Sequence, residues 1–321
     1  MEVNFLKDLN PEQQAAVTYT NGPMIILAGA GSGKTRVLTY KVVYLINKKN
    51  VDPFNTLMVT FTNKAASEMK ERIEKFLPDK RDLPLVCTFH SLCARILRVE
   101  AKHVGLLPSF TIYDTQDQID AIKEAMERVN VSVKEFKPHS VLTTISQAKN
   151  ELVSDLAYLN LARGYFQETV AKIYPVYQQI LKENNALDFD DLILKTVHIL
   201  DNDREILQKY QDRFKYILVD EYQDTNHAQY VLTKLLSKKW KNICVVGDFS
   251  QSIYSFRGAN FRNLSTFKDD FQSVRTFNLS QNYRSTQNIL DTAYSIISKN
   301  TSHPVLKLWT QNGVRCIFGN N

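Results

Sequence analysis

The sequence predicts an α/β fold built on a parallel sheet and interrupted by a helical insertion, and three observations carry that expectation. Short apolar, β-branched runs recur at 24–28, 56–61, 85–89, 216–219, 242–246 and 274–279, several of them ending in Gly, Asp or Thr. Runs of this length bounded by turn residues read as buried parallel strands. Between most of them, apolar residues fall at three and four spacing (35–47, 63–76, 90–103, 226–238), which is the order of βα units. The alternation stops between about 110 and 212, where helical spacing runs through 116–129, 140–149, 164–184 and 187–200. Strand-like runs resume at Tyr216, so this stretch is expected to be a helical domain inserted between two strands of the first domain.

Length and composition agree with that division. A chain of 321 residues is long enough for two folded units, and 44% hydrophobic with 23% charged residues is the balance of a globular protein. Lys and Arg outnumber Asp and Glu by 40 to 34, a net charge of +6 that fits a polyanionic partner without requiring one. The four cysteines, Cys87, Cys93, Cys244 and Cys316, have no CxxC spacing and are expected to be reduced, buried thiols. The opening MEVNFLKDLNPEQQ lacks the order of a signal peptide, and no apolar run approaches the ~20 residues of a membrane span. A cytoplasmic location without a membrane partner is expected.

The most informative segment is AGAGSGKT at 28–35, which follows the strand-like MIIL and precedes a helical pattern. Gly29, Ala30, Gly31, Ser32 and Gly33 allow the backbone to curl so that its N–H groups face phosphates, and the helix amino terminus adds positive potential. Lys34 is placed to bridge the outer phosphates, and the Thr35 hydroxyl to coordinate Mg2+, so ATP and Mg2+ are the expected cofactors. A phosphate site of this kind also needs a carboxylate at the end of a neighbouring strand, and YILVDE at 216–221 ends in two. Asp220 is expected in the metal shell and Glu221 as the group that orients and deprotonates the attacking water.

Eight blocks then occur in order: LNPEQQAAV (9–17), AGAGSGKTR (28–36), TFTNKAASEM (60–69), TFHS (88–91), LDFDDL (187–192), VDEYQDTN (219–226), GDFSQSIYSFRGA (247–259) and LSQNYRS (279–285). With these the chain resembles superfamily 1 DNA helicases of the UvrD/PcrA/Rep type. The resemblance implies a RecA-like P-loop NTPase domain at 1–110 and 213–278, an inserted all-helical domain at 111–212, and the truncated start of a second RecA-like domain at 279–321. It implies that Gln13 reads the adenine edge, Tyr283 stacks on its face and Arg36 lies near the nucleotide. Gln251 would sense the γ-phosphate and Arg284 would act as an arginine finger. Single-stranded DNA would contact Phe61, Asn63, His90, Phe189, Tyr254, Phe256 and Arg257, aromatic stacking being tolerant of any base.

Two departures from the family pattern stand out: Phe256 where many relatives have Trp, and Ser250 where many have Asp. The smaller ring at 256 is expected to weaken the grip on DNA. The later blocks of the family do not occur before Asn321, so a second catalytic arginine is expected to be missing and unwinding by this chain alone is not expected. The apolar VLKLW (305–309) and RCIF (315–318) are expected to pack loosely on the first domain or to mediate self-association. The expected function is an ATP-dependent 3′ to 5′ DNA helicase or translocase acting on single strands and single/double-strand junctions. The alternatives are a nucleotide- and DNA-binding fragment with negligible turnover and, from another class, a kinase built on the same loop, which gives no reason for the TFTN block or the aromatic set.

Overall fold

Strand β1 (Met24–Ala28) is apolar on both faces, and a strand of this kind is stable only in the middle of a sheet covered on both sides. The computed structural model describes residues 5–77, 83–253, 258–260, 262–301 and 303–313. The chain divides into two compact units: Met1–Thr88, Lys209–Thr225 and Leu236–Asn321 form the first, and Phe89–Gln208 with Asn226–Leu235 the second.

Strand β1 is followed by β2 (Thr56–Thr60), β3 (Leu85–Thr88), β4 (Thr111–Ile112), β5 (Ala186–Leu187), β6 (Tyr216–Val219), β7 (Ile243–Gly247) and β8 (Arg275–Leu279). The first unit holds a six-stranded sheet in the order β3-β2-β6-β7-β1-β8, with every pair parallel. Strand β1 pairs with β7 from Met24↔Cys244 to Leu27↔Gly247, and with β8 from Met24↔Arg275 to Ala28↔Leu279. Consequently the carboxyl ends of β6, β7, β1 and β8 lie side by side, which is where an open parallel sheet binds ligands. All six expected strands are present.

The helix Lys34–Lys49 shares one apolar core with the sheet. Val37, Leu38, Val42 and Val43 are fully buried in the same cluster as Ile26 and Val246. The helix ends at Asn50 in the left-handed region (φ 52°), with Lys48 and Lys49 in the last turn, where cations favour the helix dipole. Its amino terminus has no side-chain cap, so the first-turn N–H groups are left for another acceptor.

The second unit is built on helices including Thr115–Arg128, Pro138–Asn150, Tyr165–Glu183 and Phe189–Asn202. They enclose a separate core that contains Ile122, Met126, Val141, Ile145, Ile173 and Tyr174. The expected insertion was all-helical; the structure corrects this with the short parallel pair β4–β5. Asn185, at φ 47°, turns the chain after the helix Tyr165–Glu183, and its carbonyl accepts from Thr111 N at 3.0 Å. The pair is too short for a period-two pattern to show in the sequence. The helix Asp155–Leu161 escaped the helical reading because Leu156, Leu159 and Leu161 are 68%, 48% and 60% exposed and mark no buried face.

Cys87, Cys93 and Cys244 are buried and outside any disulfide, as expected. Cys316 and the segment 315–318 lie outside the described residues. No helix among the described residues is long and apolar enough to cross a membrane.

Candidate nucleotide site

The loop after β1 is glycine-dependent in two places. Gly31 has φ 70° and Gly33 has φ 86°, a left-handed region that costs an L side chain roughly 1–2 kcal/mol. Space is equally restrictive: a Cβ on Gly31 would stand 2.7 Å from the Arg284 Cβ, and one on Gly33 would stand 2.9 Å from Gln13 Nε2. Ser32 Oγ donates to the Gly29 carbonyl at 2.8 Å and closes the turn. Lys34 opens the helix and is almost fully buried, while Thr35 and Arg36 are half-buried on its first turn. The Arg36 guanidinium lies 5.4 Å from the centre of the Tyr40 ring.

Strand β6 delivers the acidic pair. It is not the immediate neighbour of β1: β7 lies between them, so the expected adjacency is corrected to a one-strand interval. Lys34 spans that interval, its Nζ lying 2.9 Å from Glu221 Oε2. Glu221 has φ 48°, and its N–H donates to Asp220 Oδ1 at 3.1 Å. A non-glycine residue held in this conformation at the end of a strand is the kind of strain found at functional sites. Burial, with the Glu221 charge beside it, pushes the Asp220 carboxyl up to about 7, against the pull of the Lys34 ammonium. Burial and Glu221 likewise raise Asp224 to about 6, again opposed by Lys34 and by a hydrogen bond from Gln223.

Three carboxyl groups therefore share one lysine. Asp224 Oδ1 is buried and has no hydrogen-bond partner among the described residues. No group of three or more His, Cys, Asp or Glu among the described residues has the arrangement of an all-protein metal cage. Mg2+ in nucleotide sites takes only one or two protein oxygens and draws the rest from phosphates and water, so a cage is not needed and Thr35 and Asp220 could supply the protein oxygens.

From Glu221 a hydrogen-bond chain reaches β7. Gln223 Nε2 donates to Glu221 Oε2 at 2.9 Å, Gln223 Oε1 accepts from Asp248 N at 3.1 Å, and Gln251 Nε2 donates to Asp248 Oδ2 at 2.6 Å. Gln251 is thus joined to Lys34 through four side chains or backbone groups, and a change at the phosphate end has a polar route to it.

On the other flank, the segment after β8 lies against the loop. Tyr283 N donates to the Gly31 carbonyl at 2.9 Å, and Asn282 Nδ2 donates to the Ala30 carbonyl at 2.6 Å. The Tyr283 ring is 46% exposed, leaving a face for stacking, and its hydroxyl is held by Asn10 and Gln281. Arg284 is exposed beside the loop. Gln13 is buried, with Nε2 donating to the Ser32 carbonyl at 3.0 Å and Oε1 accepting from Asn10 N at 3.2 Å. Each end of its amide keeps one further hydrogen-bonding position.

The residues expected on DNA fall in three groups. In the first unit, Phe61 follows β2 half-buried, and Asn63 is exposed at the first position of a helix capped by Thr62, whose Oγ1 accepts from Ala65 N at 3.1 Å. In the second unit, the His90 and Phe189 rings meet edge to face with centres 5.7 Å apart, and Phe189 is 48% exposed. Burial lowers the His90 pKa, which keeps the imidazole neutral near neutral pH. Tyr254, Phe256 and Arg257 lie outside the described residues.

The comparisons with known proteins now bear on this geometry. The family model described as the UvrD/REP helicase N-terminal domain matches residues 9–272. The chain belongs to the UvrD/REP helicase family. It is 48% identical over 307 residues to the ATP-dependent DNA helicase PcrA of Staphylococcus aureus and, over the same length, 48% identical to that of Bacillus subtilis. The corresponding protein of Staphylococcus epidermidis is 47% identical. In each case the match covers 96% of this chain and 42% of the relative.

Within this UvrD/REP frame, the structure adds residues that sequence reasoning passed over. Asn10, Glu12, Gln223, Asp248, Gln281 and Asn282 all sit in or next to the matched blocks; five of them bond residues of the site directly, and Glu12 braces the segment that leads to Tyr283. Glu12, for example, accepts from both Ser280 N at 2.8 Å and Ser280 Oγ at 2.6 Å, which ties the helix Pro11–Thr18 to the end of β8. Their only signal in the sequence was proximity to a motif.

Proposed function

We propose that this chain is the ATP-hydrolysing portion of a DNA translocase that moves 3′ to 5′ on single strands and engages single/double-strand junctions. The observation that supports it most is the meeting of Lys34 with Glu221 at 2.9 Å, beside Asp220 and at the carboxyl edge of a parallel sheet. The phosphate loop would hold the triphosphate with its N–H groups and Lys34. Thr35 and Asp220 would hold Mg2+, which when bound neutralises charge on the β- and γ-phosphate oxygens. Glu221 would exchange its partner Lys34 for the attacking water, and Gln251 would register the γ-phosphate through Asp248 and Gln223. Arg284 would approach the developing charge, while Gln13 and Tyr283 would hold the base.

On the motif order, we assign 1–110 and 213–278 to the ATP-binding domain, 111–212 to an insertion and 279–321 to the opening of a second RecA-like domain. Phe61, Asn63, His90 and Phe189, with Tyr254, Phe256 and Arg257, are proposed to carry the DNA, and the cytoplasm is the proposed location. A second reading, a nucleotide- and DNA-binding portion with negligible turnover, is favoured by the ion pair itself: Lys34 and Glu221 neutralise each other as they stand.

Phosphate release in the presence and absence of oligo-dT separates the two readings. The translocase reading expects DNA-stimulated release that Lys34→Ala removes. Release no faster with DNA than without it contradicts that reading.

A further inference from the structure

Three consecutive carbonyls of the phosphate loop each accept a hydrogen bond from a donor outside it. Ala30 O receives Asn282 Nδ2 at 2.6 Å, Gly31 O receives Tyr283 N at 2.9 Å, and Ser32 O receives Gln13 Nε2 at 3.0 Å. A peptide group is planar and trans, so turning a carbonyl one way turns the following N–H the other way. The N–H groups of Gly31, Ser32 and Gly33 are thereby turned away from these donors, and that of Ser32 closes the turn by donating to Gly29 O at 3.3 Å. An anion-binding nest requires this presentation before the anion arrives, because turning peptide groups during binding lowers affinity.

Asn282 differs from the other two donors because it acts in both directions. It is buried, its Nδ2 holds the loop, and its Oδ1 accepts from Arg284 N at 2.8 Å and Ser285 N at 2.7 Å. Its backbone is anchored separately, through Asn282 N to Trp309 O at 2.8 Å. One amide therefore connects the loop to the backbone that carries Arg284, and the missing Cβ of Gly31 lets the two segments touch.

We propose that Asn282 is a positioning residue that presets the phosphate loop for a nucleoside triphosphate and fixes Arg284 to that loop. The proposal rests on the nucleotide-site reading above. Asn282→Asp keeps the acceptor that shapes the turn at Arg284 and loses the donor to Ala30. Asn282→Ser does the same without adding charge, its hydroxyl being too short to span to the loop. Asn282→Ala loses both functions. Trp309→Ala removes the indole Nε1–H that donates to Ser280 Oγ at 3.1 Å and loosens the same segment without touching the loop bond.

The test is titration of each chain with Mg2+ and an N-methylanthraniloyl ATP, together with oligo-dT-stimulated turnover. The aspartate and serine variants are expected to bind the analogue about tenfold more weakly while retaining most of kcat at saturation. The alanine variant is expected to lose affinity to the same degree and kcat as well. Trp309→Ala is expected to lower the thermal midpoint with affinity within about twofold of wild type. Unchanged affinity in the aspartate and serine variants overturns the proposal, and so does an equal loss in Trp309→Ala, which would indicate general loosening. A wild-type chain that fails to bind the analogue overturns the nucleotide reading and this proposal with it; wild-type binding with unaltered Asn282 variants overturns this proposal alone.

Discussion

Lys41 is a buried ammonium in the helix that follows the phosphate loop, and its only described acceptors are the Ala16 and Tyr19 carbonyls. Burial pushes it down to about 8, and burial pushes the nearby Cys244 thiol up to about 11. The two act on stability with opposite signs. Between pH 8 and 10.5 the folded chain has lost the Lys41 proton while the unfolded chain keeps it, so stability rises with pH. From pH 9 to 11 the folded chain keeps the Cys244 proton that the unfolded chain loses, so stability falls. Where the windows overlap, the pair nearly cancels. Urea unfolding of wild type and Lys41→Met across this range should show the difference, wild type minus variant, growing by about 1.4 kcal/mol per pH unit above pH 8. A difference independent of pH would show that Lys41 titrates normally. At the same scale, Gly33→Ala combines a left-handed backbone with a contact of 2.9 Å to Gln13. ATP affinity measured by analogue titration should fall about tenfold, the equivalent of the roughly 1–2 kcal/mol of strain.

Among the elements, the start of the helix Phe189–Asn202 shows how a buried charge network aims an exposed ring. Asp188 caps the helix and exchanges hydrogen bonds with Asp191. Both carboxylates close on Lys149, at 2.6 and 3.0 Å, and Tyr177 donates to Asp188 at 2.9 Å. The two acids raise the Lys149 pKa even against complete burial, so the ammonium stays charged. Lys149→Met would leave two buried carboxylates without their cation and should destabilise the second unit by about 3–5 kcal/mol, read as a shift in its denaturation midpoint. A shift below about 1 kcal/mol would mean that water reaches the site.

This element also marks where the sequence was legible and where it was not. The helical spacing over 187–200 foresaw this helix, and the LDFDDL block singled out Phe189 through the family resemblance, whereas the cap by Asp188 and Asp191 emerged only with the structure. Lys149 lies 39 positions before Asp188, and nothing local distinguishes it from a surface lysine. The six sheet strands were legible as short apolar or β-branched runs, even β8, of which only Leu279 is buried; β4 and β5, two residues each, were not. In the same way Lys34 and Glu221 were foreseen from their chemistry, whereas the bonds of Asn282 to Ala30 and of Gln223 to Asp248 join groups that only folding brings together.

For the whole molecule, the proposed DNA track would hold a polyanion by charge and its bases by stacking, which fits the net charge of +6 and the aromatic residues of the ordered sequence blocks. These two contributions separate with salt. Affinity for oligo-dT should fall as salt rises, and Phe189→Ala should lower it by about 1–3 kcal/mol at every salt concentration without changing the slope. An altered slope would place Phe189 outside the stacking set. The chain spans 42% of the length of the relatives it matches, so hydrolysis and DNA response are the activities to test on it directly.

The most direct test is single-turnover hydrolysis of ATP with saturating oligo-dT, alongside ATP binding, in wild type and Glu221→Gln. With Glu221 proposed to act on the attacking water and Lys34 on the phosphates, the variant should bind ATP at least as tightly as wild type while hydrolysis falls by a factor of about 100 or more. Hydrolysis at the wild-type rate in Glu221→Gln would contradict the assignment of the site.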